Sequence, residues 1–205
     1  MSVLGAVPAM TLDVRGCEFH PVVVLPAGYE VYDFTGGYDA RRVLQNPYGV
    51  GRYDEKRRGM YTTALFAGAR DVHVGVDLAG PVGEPVHAFF DGAVHRFGYN
   101  PADGDYGYTL VTAHVINGRS VWALHGHLSA RSVEGRFEGQ RVAKGEVIAW
   151  LGDRHENGGW NPHVHFQLSL VRPDVADLPG AVSDDDRAHA LTIYPDPRLV
   201  LGPLY

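Results

Sequence analysis

The sequence contains one cysteine, Cys17, in 205 residues. A disulfide within the chain is therefore excluded, and so is a metal cluster built on several thiolates. No window approaches the ~20 apolar residues of a membrane span. Basic excess is also missing: 18 Lys and Arg stand against 24 Asp and Glu, a formal net charge of −6. That balance argues against a broad nucleic-acid footprint. Residues Met1 to Pro26 have neither a basic start nor a continuous apolar run. No secretory signal is expected there, and a cytoplasmic location is. Long amphipathic helices are scarce. Only residues 39–46 and 184–191 suit short ones, the second opened by Ser183 as N-cap with acids in its first turn.

What the chain has instead is 26 glycines and 13 prolines, scattered rather than clustered. That pattern reads as many short strands and tight turns. An apolar content of 45% suffices for a core, and the length suits one domain or one domain with an appendage. Val22 to Leu25 reads as a strand ended by Pro26. Arg52 to Arg58 is a charged, tyrosine-flanked connector that reads first as a surface loop, with Tyr53, Glu55 and Tyr61 able to reach a ligand. Glu84 to Phe90 leads through the turn signal Asp91-Gly92 to Ala93–Phe97. Tyr108 to Ile116 is rich in β-branched and aromatic residues. Asn117-Gly118 then predicts a two-residue type I′ hairpin turn, with Ser120 to Leu128 as the return strand. The valine and glycine rhythm of 139–152 echoes that of 82–97, which suggests two related β units.

Three histidine stretches carry the chemistry. Asn161-Pro162-His163-Val164-His165-Phe166-Gln167 places two imidazoles at i and i+2, on one face of a strand. Gln167 follows on the same face. His73 and Asp77 flank Val74-Gly75-Val76, which disfavour helix and suit a strand whose positions 73, 75 and 77 share a face, with room at Gly75. His125 and His127 form a second i, i+2 pair, and strand parity puts both on one side. Neutral imidazole is the commonest zinc ligand, and these stretches together predict one mononuclear zinc site. His20, His87, His95, His114, His155 and His189 read as ordinary structural or surface histidines.

The set H-x-x-x-D, H-L-S and H-x-H-F resembles the lysostaphin/LytM-type zinc metallopeptidases. The likeness covers roughly residues 70–170 and includes Val82–Val86, Asp91-Gly92, Gly107 and Val142–Gly152. It implies a mainly β fold, an antiparallel, barrel-like β core called the duplicated hybrid motif, with few short helices. Outside the likeness, residues 1–60 read as an N-terminal extension able to cover the cleft as a lid or inhibitory segment. A peptidase domain over 61–205 follows, with its core at 70–170 and a tail at 171–205. Carried over position by position, the metal ligands fall on His73, Asp77 and His165, and the catalytic histidines on His127 and His163. The sequence departs from the pattern at His125, where the family has Tyr, at Gln167, where it has Glu, and at Trp160-Asn161-Pro162. With the tail residues Asp177–Gly180 and Tyr194–Pro197, these departures resemble a subgroup, the peptidase-like module fused to aminotransferases.

Two imidazoles and a carboxylate leave an open position on a tetrahedral zinc ion. Zn2+ lowers the pKa of bound water from about 15.7 to about 7 and polarises a carbonyl. The two further histidines suit proton transfer and oxyanion stabilisation, in either order. His125 is a second candidate for the role of His127. Trp160 and Tyr106 are candidate cleft walls. The expected reaction is hydrolysis of a peptide or small amide, of glycine-containing, D-amino-acid or cell-wall type, with no nucleic-acid or membrane partner. The alternative is a non-hydrolytic metal-binding module for a peptide or metabolite. A cupin needs a glutamate shortly after its H-x-H, which this chain lacks after His127, and a histidine phosphocarrier has no need of Asp77.

Overall fold

The run of β-branched and aromatic residues after Gly107 forms the longest hairpin of the fold. In the computed structural model, residues 11–39, 46–66 and 68–205 are described. Among them thirteen strands occur in the order β1 Glu30–Val31, β2 Gly49–Gly51, β3 Glu55–Lys56, β4 Val72–His73, β5 Val76–Ala79, β6 Pro85–His87, β7 Gly92–Asn100, β8 Gly107–Ile116, β9 Arg119–Leu128, β10 Arg141–Val142, β11 Val147–Trp150, β12 His163–Ser169 and β13 Ala181–Val182. Helices α1, Asp184–Ile193, and α2, Arg198–Leu201, close the chain. Asn117 and Gly118 have φ of 47° and 79° at the β8–β9 turn, as a type I′ turn requires. The predicted 39–46 helix falls largely on 40–45, outside the described residues.

Eight strands form the main sheet in the order β1-β2-β5-β12-β9-β8-β7-β10, antiparallel except for the β1–β2 pair. A small sheet of β6 and β11 and a three-stranded sheet of β13, β4 and β3 flank it. The two stretches with a similar rhythm pair with each other: β10 with β7, and β11 with β6. Asp91-Gly92 therefore passes the chain from one sheet to another, and does not close a hairpin between the strands on either side.

Alternation along the strands divides two cores. Leu110, Val121, Ala123, Phe166 and Leu168 join Phe89, Val86, Ile148 and Leu151 on the face toward β6 and β11. Val111 and Leu124 meet Val72, Val74, Leu178, Val182, Ala190 and Tyr194 on the other face. α1 is docked there, with the Ser183 hydroxyl accepting from the Asp186 N–H at 3.1 Å as the predicted cap. Val22–Leu25 is not a strand. Val22 and Val23 bend into the core, and only the Val22 carbonyl takes a sheet-like bond, from the His87 N–H at 2.8 Å. Segment 30–56 supplies β1, β2 and β3, and Val50 lies in the main core. These three strands therefore pack with the strands that follow.

Candidate metal centre

His73 and Asp77 do not lie on one strand. Val74 and Gly75 separate β4 from β5, and the two strands belong to different sheets. The chain crosses between the sheets at Gly75, where a Cβ would lie 2.4 Å from the His165 ring. The absence of a side chain thus lets β12 bring His165 between the two upstream residues. His165 pairs with Asp77 across β12–β5, which sets the carboxylate beside the imidazole.

The three side chains converge. His73 Nε2 and His165 Nδ1 lie 2.9 Å apart, and Asp77 Oδ1 is 3.2 Å from each. One donor atom from each residue falls within 4.8 Å of the others. The bonds on the far sides of the rings decide the tautomers. His73 Nδ1–H donates to the Arg52 carbonyl at 2.8 Å, which leaves Nε2 as a lone-pair donor. The Gln167 amide N–H donates to the Pro179 carbonyl at 3.3 Å, so its oxygen faces His165 Nε2 at 2.9 Å. His165 is thereby left with Nδ1 as its lone-pair donor. Two imidazole lone pairs and an anionic oxygen aimed at one point suit a zinc ion in donor type and in number.

Electrostatics keep His73 and Asp77 deprotonated. Burial pushes His73 down to about 4, and the neighbouring Arg57 charge adds to the effect. Burial alone would raise Asp77. The Arg57 guanidinium beside it opposes that effect, and the carboxyl is held well below its usual range.

His163 and His127 sit beside this group. Their rings are 4.3 Å apart, and His163 Nε2 is 3.7 Å from Asp77 Oδ1. Each donates its Nδ1–H to a carbonyl, His163 to Asn161 at 2.6 Å and His127 to Asn157 at 2.8 Å, so Nε2 is the basic nitrogen on both. Burial lowers the pKa of both, and both are neutral near pH 7.

The structure corrects the parity reading of His125 and His127. The β8–β9 register shifts between Tyr108 and Leu110, so Gly126 and His127 together oppose Thr109. This is a β-bulge, and its extra residue reverses the alternation. His127 takes a left-handed φ of 62° and turns into the cleft. His125 points the opposite way, fully buried against Phe166 with Nε2 lacking a hydrogen-bond partner.

A cavity of about 410 Å³ opens over the site, and Tyr106, Trp160 and Tyr61 are among its walls. The Arg52–Arg58 connector is not a surface loop. Glu55 and Arg57 are buried, and Arg57 reaches Asp77. Tyr53 points elsewhere, its hydroxyl donating to the Tyr194 carbonyl at 2.6 Å. Arg57 and Asn157 are the residues that sequence reasoning missed. Asn157 is fully buried, and its side chain ties the Gly152–Trp160 loop through four bonds. Asn-Gly-Gly reads only as a turn, and nothing in the local pattern separates a buried arginine from an exposed one beyond its i, i+2 spacing from Glu55.

The model of Peptidase family M23 matches residues 71–176, just over half of the chain. The chain belongs to peptidase family M23. Peptidoglycan DD-endopeptidase ShyC of Vibrio cholerae serotype O1 is 31% identical to this M23 chain over 187 residues, 87% of this chain and 39% of that protein. DD-carboxypeptidase/endopeptidase Mpg of Neisseria meningitidis serogroup B is 37% identical over 113 residues, 53% of this chain and 23% of that one. The M23 chain thus spans well under half the length of these curated relatives. The catalytic domain of lysostaphin from Staphylococcus simulans aligns at 24% identity and a TM-score of 0.46, over 70% of this chain and 92% of that domain. No helix among the described residues is long and apolar enough to cross a membrane.

Proposed function

We propose that this chain is a zinc-dependent metallopeptidase that hydrolyses a peptide bond in a short peptide of cell-wall type. His73, Asp77 and His165 hold the metal, and His127 and His163 manage the proton. The observation that carries this reading is the convergence of three donor atoms whose tautomers are fixed from behind. When bound, zinc supplies Lewis acidity toward a carbonyl and toward water. His163 and His127 are neutral at pH 7, so either Nε2 takes a proton from the attacking water, and the imidazolium formed donates to the developing oxyanion or the leaving amine. Asn161 and Asn157 carbonyls hold the two rings in the required tautomer. Tyr61, Tyr106 and Trp160 confine the substrate and limit access of bulk water.

Membership of M23 and the similarity to the peptidoglycan DD-endopeptidase ShyC support peptidoglycan peptides as the first substrates to test. Within the family, we assign the chain to the subgroup resembling aminotransferase-fused peptidase-like modules. The departures at Gln167 and Trp160-Asn161-Pro162, with the tail residues Asp177–Gly180 and Tyr194–Pro197, support this; Gln167 also joins His165 to Pro179 of that tail.

The test is mass spectrometry of peptidoglycan fragments and glycine-containing peptides incubated with the zinc-loaded protein. New amine and carboxylate ends that a chelator suppresses are expected. Zinc-loaded protein that retains a fragment without cutting it would replace the hydrolase with a non-hydrolytic binding module.

A further inference from the structure

Resting on the metal-site reading above, we propose that Arg57 is a positioning residue that reserves one oxygen of Asp77 for the metal, with Glu55 offsetting its charge. Asp77 has two oxygens with different partners. Oδ1 faces His73 and His165 at 3.2 Å each. Oδ2 accepts from an Arg57 terminal nitrogen at 2.7 Å. Arg57 is 2% exposed, and each of its nitrogens is committed. Nε donates to Glu55 at 3.0 Å, the nitrogen on Asp77 also donates to the Tyr61 hydroxyl at 3.2 Å, and the other terminal nitrogen donates to the Arg52 carbonyl at 3.2 Å. Phe34 covers the guanidinium, 5.1 Å from its ring centre. A rigid planar fork can serve these partners at once; an ammonium cannot.

The backbone makes room for the pair. Gly51 stands opposite Asp77 in the β2–β5 register. A Cβ there would lie 2.7 Å from both Asp77 Oδ2 and the Arg57 terminal nitrogen that donates to the Arg52 carbonyl. The same segment supports a second donor, since β3 pairs Glu55 with His73 and the Arg52 carbonyl holds His73 Nδ1. Residues 51–57 therefore brace two of the three donors, and they lie ahead of the matched family segment, which begins at 71.

Charge explains Glu55. Asp77 and Arg57 alone would sum to zero beside two neutral imidazoles, a poor environment for a divalent cation. Glu55, 4% exposed, returns the group to one net negative charge.

Two variants hold that net charge while removing the fork: Arg57→Lys, and the paired Glu55→Gln with Arg57→Met. The second leaves no lone buried charge, so it tests the idea even if the first folds poorly. Zinc affinity is read by competition with a chromophoric chelator, and ligand geometry by the visible bands of the cobalt-substituted protein. Both variants are expected to bind zinc ~10–100-fold more weakly, the usual effect of losing an outer partner of a ligand, with altered cobalt bands. If both match a zinc-binding wild type in affinity and bands, the Arg57 assignment alone is overturned. A folded wild type that takes up no zinc overturns this proposal together with the metal-site reading.

Discussion

At the scale of single residues, His127 shows how the site is built against local preference. A left-handed backbone costs a residue with a Cβ about 1–2 kcal/mol. The strain is held by three bonds: the His127 N–H to the Tyr106 carbonyl, the Gly152 N–H to the His127 carbonyl, and Nδ1–H to Asn157. What the strain secures is direction, because an unbulged β9 would send this ring into the core beside His125. Strained backbone of this kind gathers at functional sites. Asparagine tolerates the left-handed region but cannot act as a base. His127→Asn is therefore expected to keep its fold and its zinc while turnover falls at least ~100-fold. Turnover and bound zinc measured on one preparation check this. Loss of zinc from the variant would place residue 127 among the ligands.

At the scale of elements, the β8–β9 hairpin carries a different histidine chemistry on its other face. Burial pushes His125 down to about 3 and His114 down to about 4. Both bind a proton more readily in the unfolded chain than in the fold. Their neutral burial is thus compatible with full stability above about pH 6.5, and stability is lost as pH falls through the folded values. Each contributes a slope of about 1.4 kcal/mol per pH unit in that window. Urea melts of zinc-stripped protein from pH 7 to pH 4 are expected to show His125→Leu losing less stability than wild type by about one such slope. Parallel curves would contradict the account. The hairpin itself was legible in the sequence, since Asn-Gly between alternating strands is a local signal, and so was α1 through Ser183. The bulge was not, because its cause is the register of β8 against β9 and the close approach of Tyr106 to Gly126. The H-x-H spacing of β12 and the position of Asp77 were legible for the same reason as the hairpin. The split of 73–77 between two sheets was hidden, because only tertiary pairing separates Val72–His73 from Val76–Ala79.

At the scale of the whole molecule, the site draws on early, central and late segments of the described residues. The N-terminal segment supplies Arg57 and the Arg52 carbonyl, the central strands supply the histidines and Asp77, and the tail supplies the Pro179 carbonyl that fixes Gln167 and through it His165. Composition gave no hint of this, because long-range partners leave no mark on net charge or apolar content. Tyr32 and Phe34 line the cavity, while Val50 fills the core beneath it. The N-terminal part is therefore wall and foundation at once, and its contribution is best tested by single substitutions rather than by truncation.

The most direct measurement is elemental analysis of protein purified without added metal, set beside Asp77→Ala. About one zinc per chain is expected in the wild type and none in the variant, with both still folded by circular dichroism. A folded wild type that remains without metal when zinc is offered, or a variant that retains it, would contradict the claim that His73, Asp77 and His165 form the metal site.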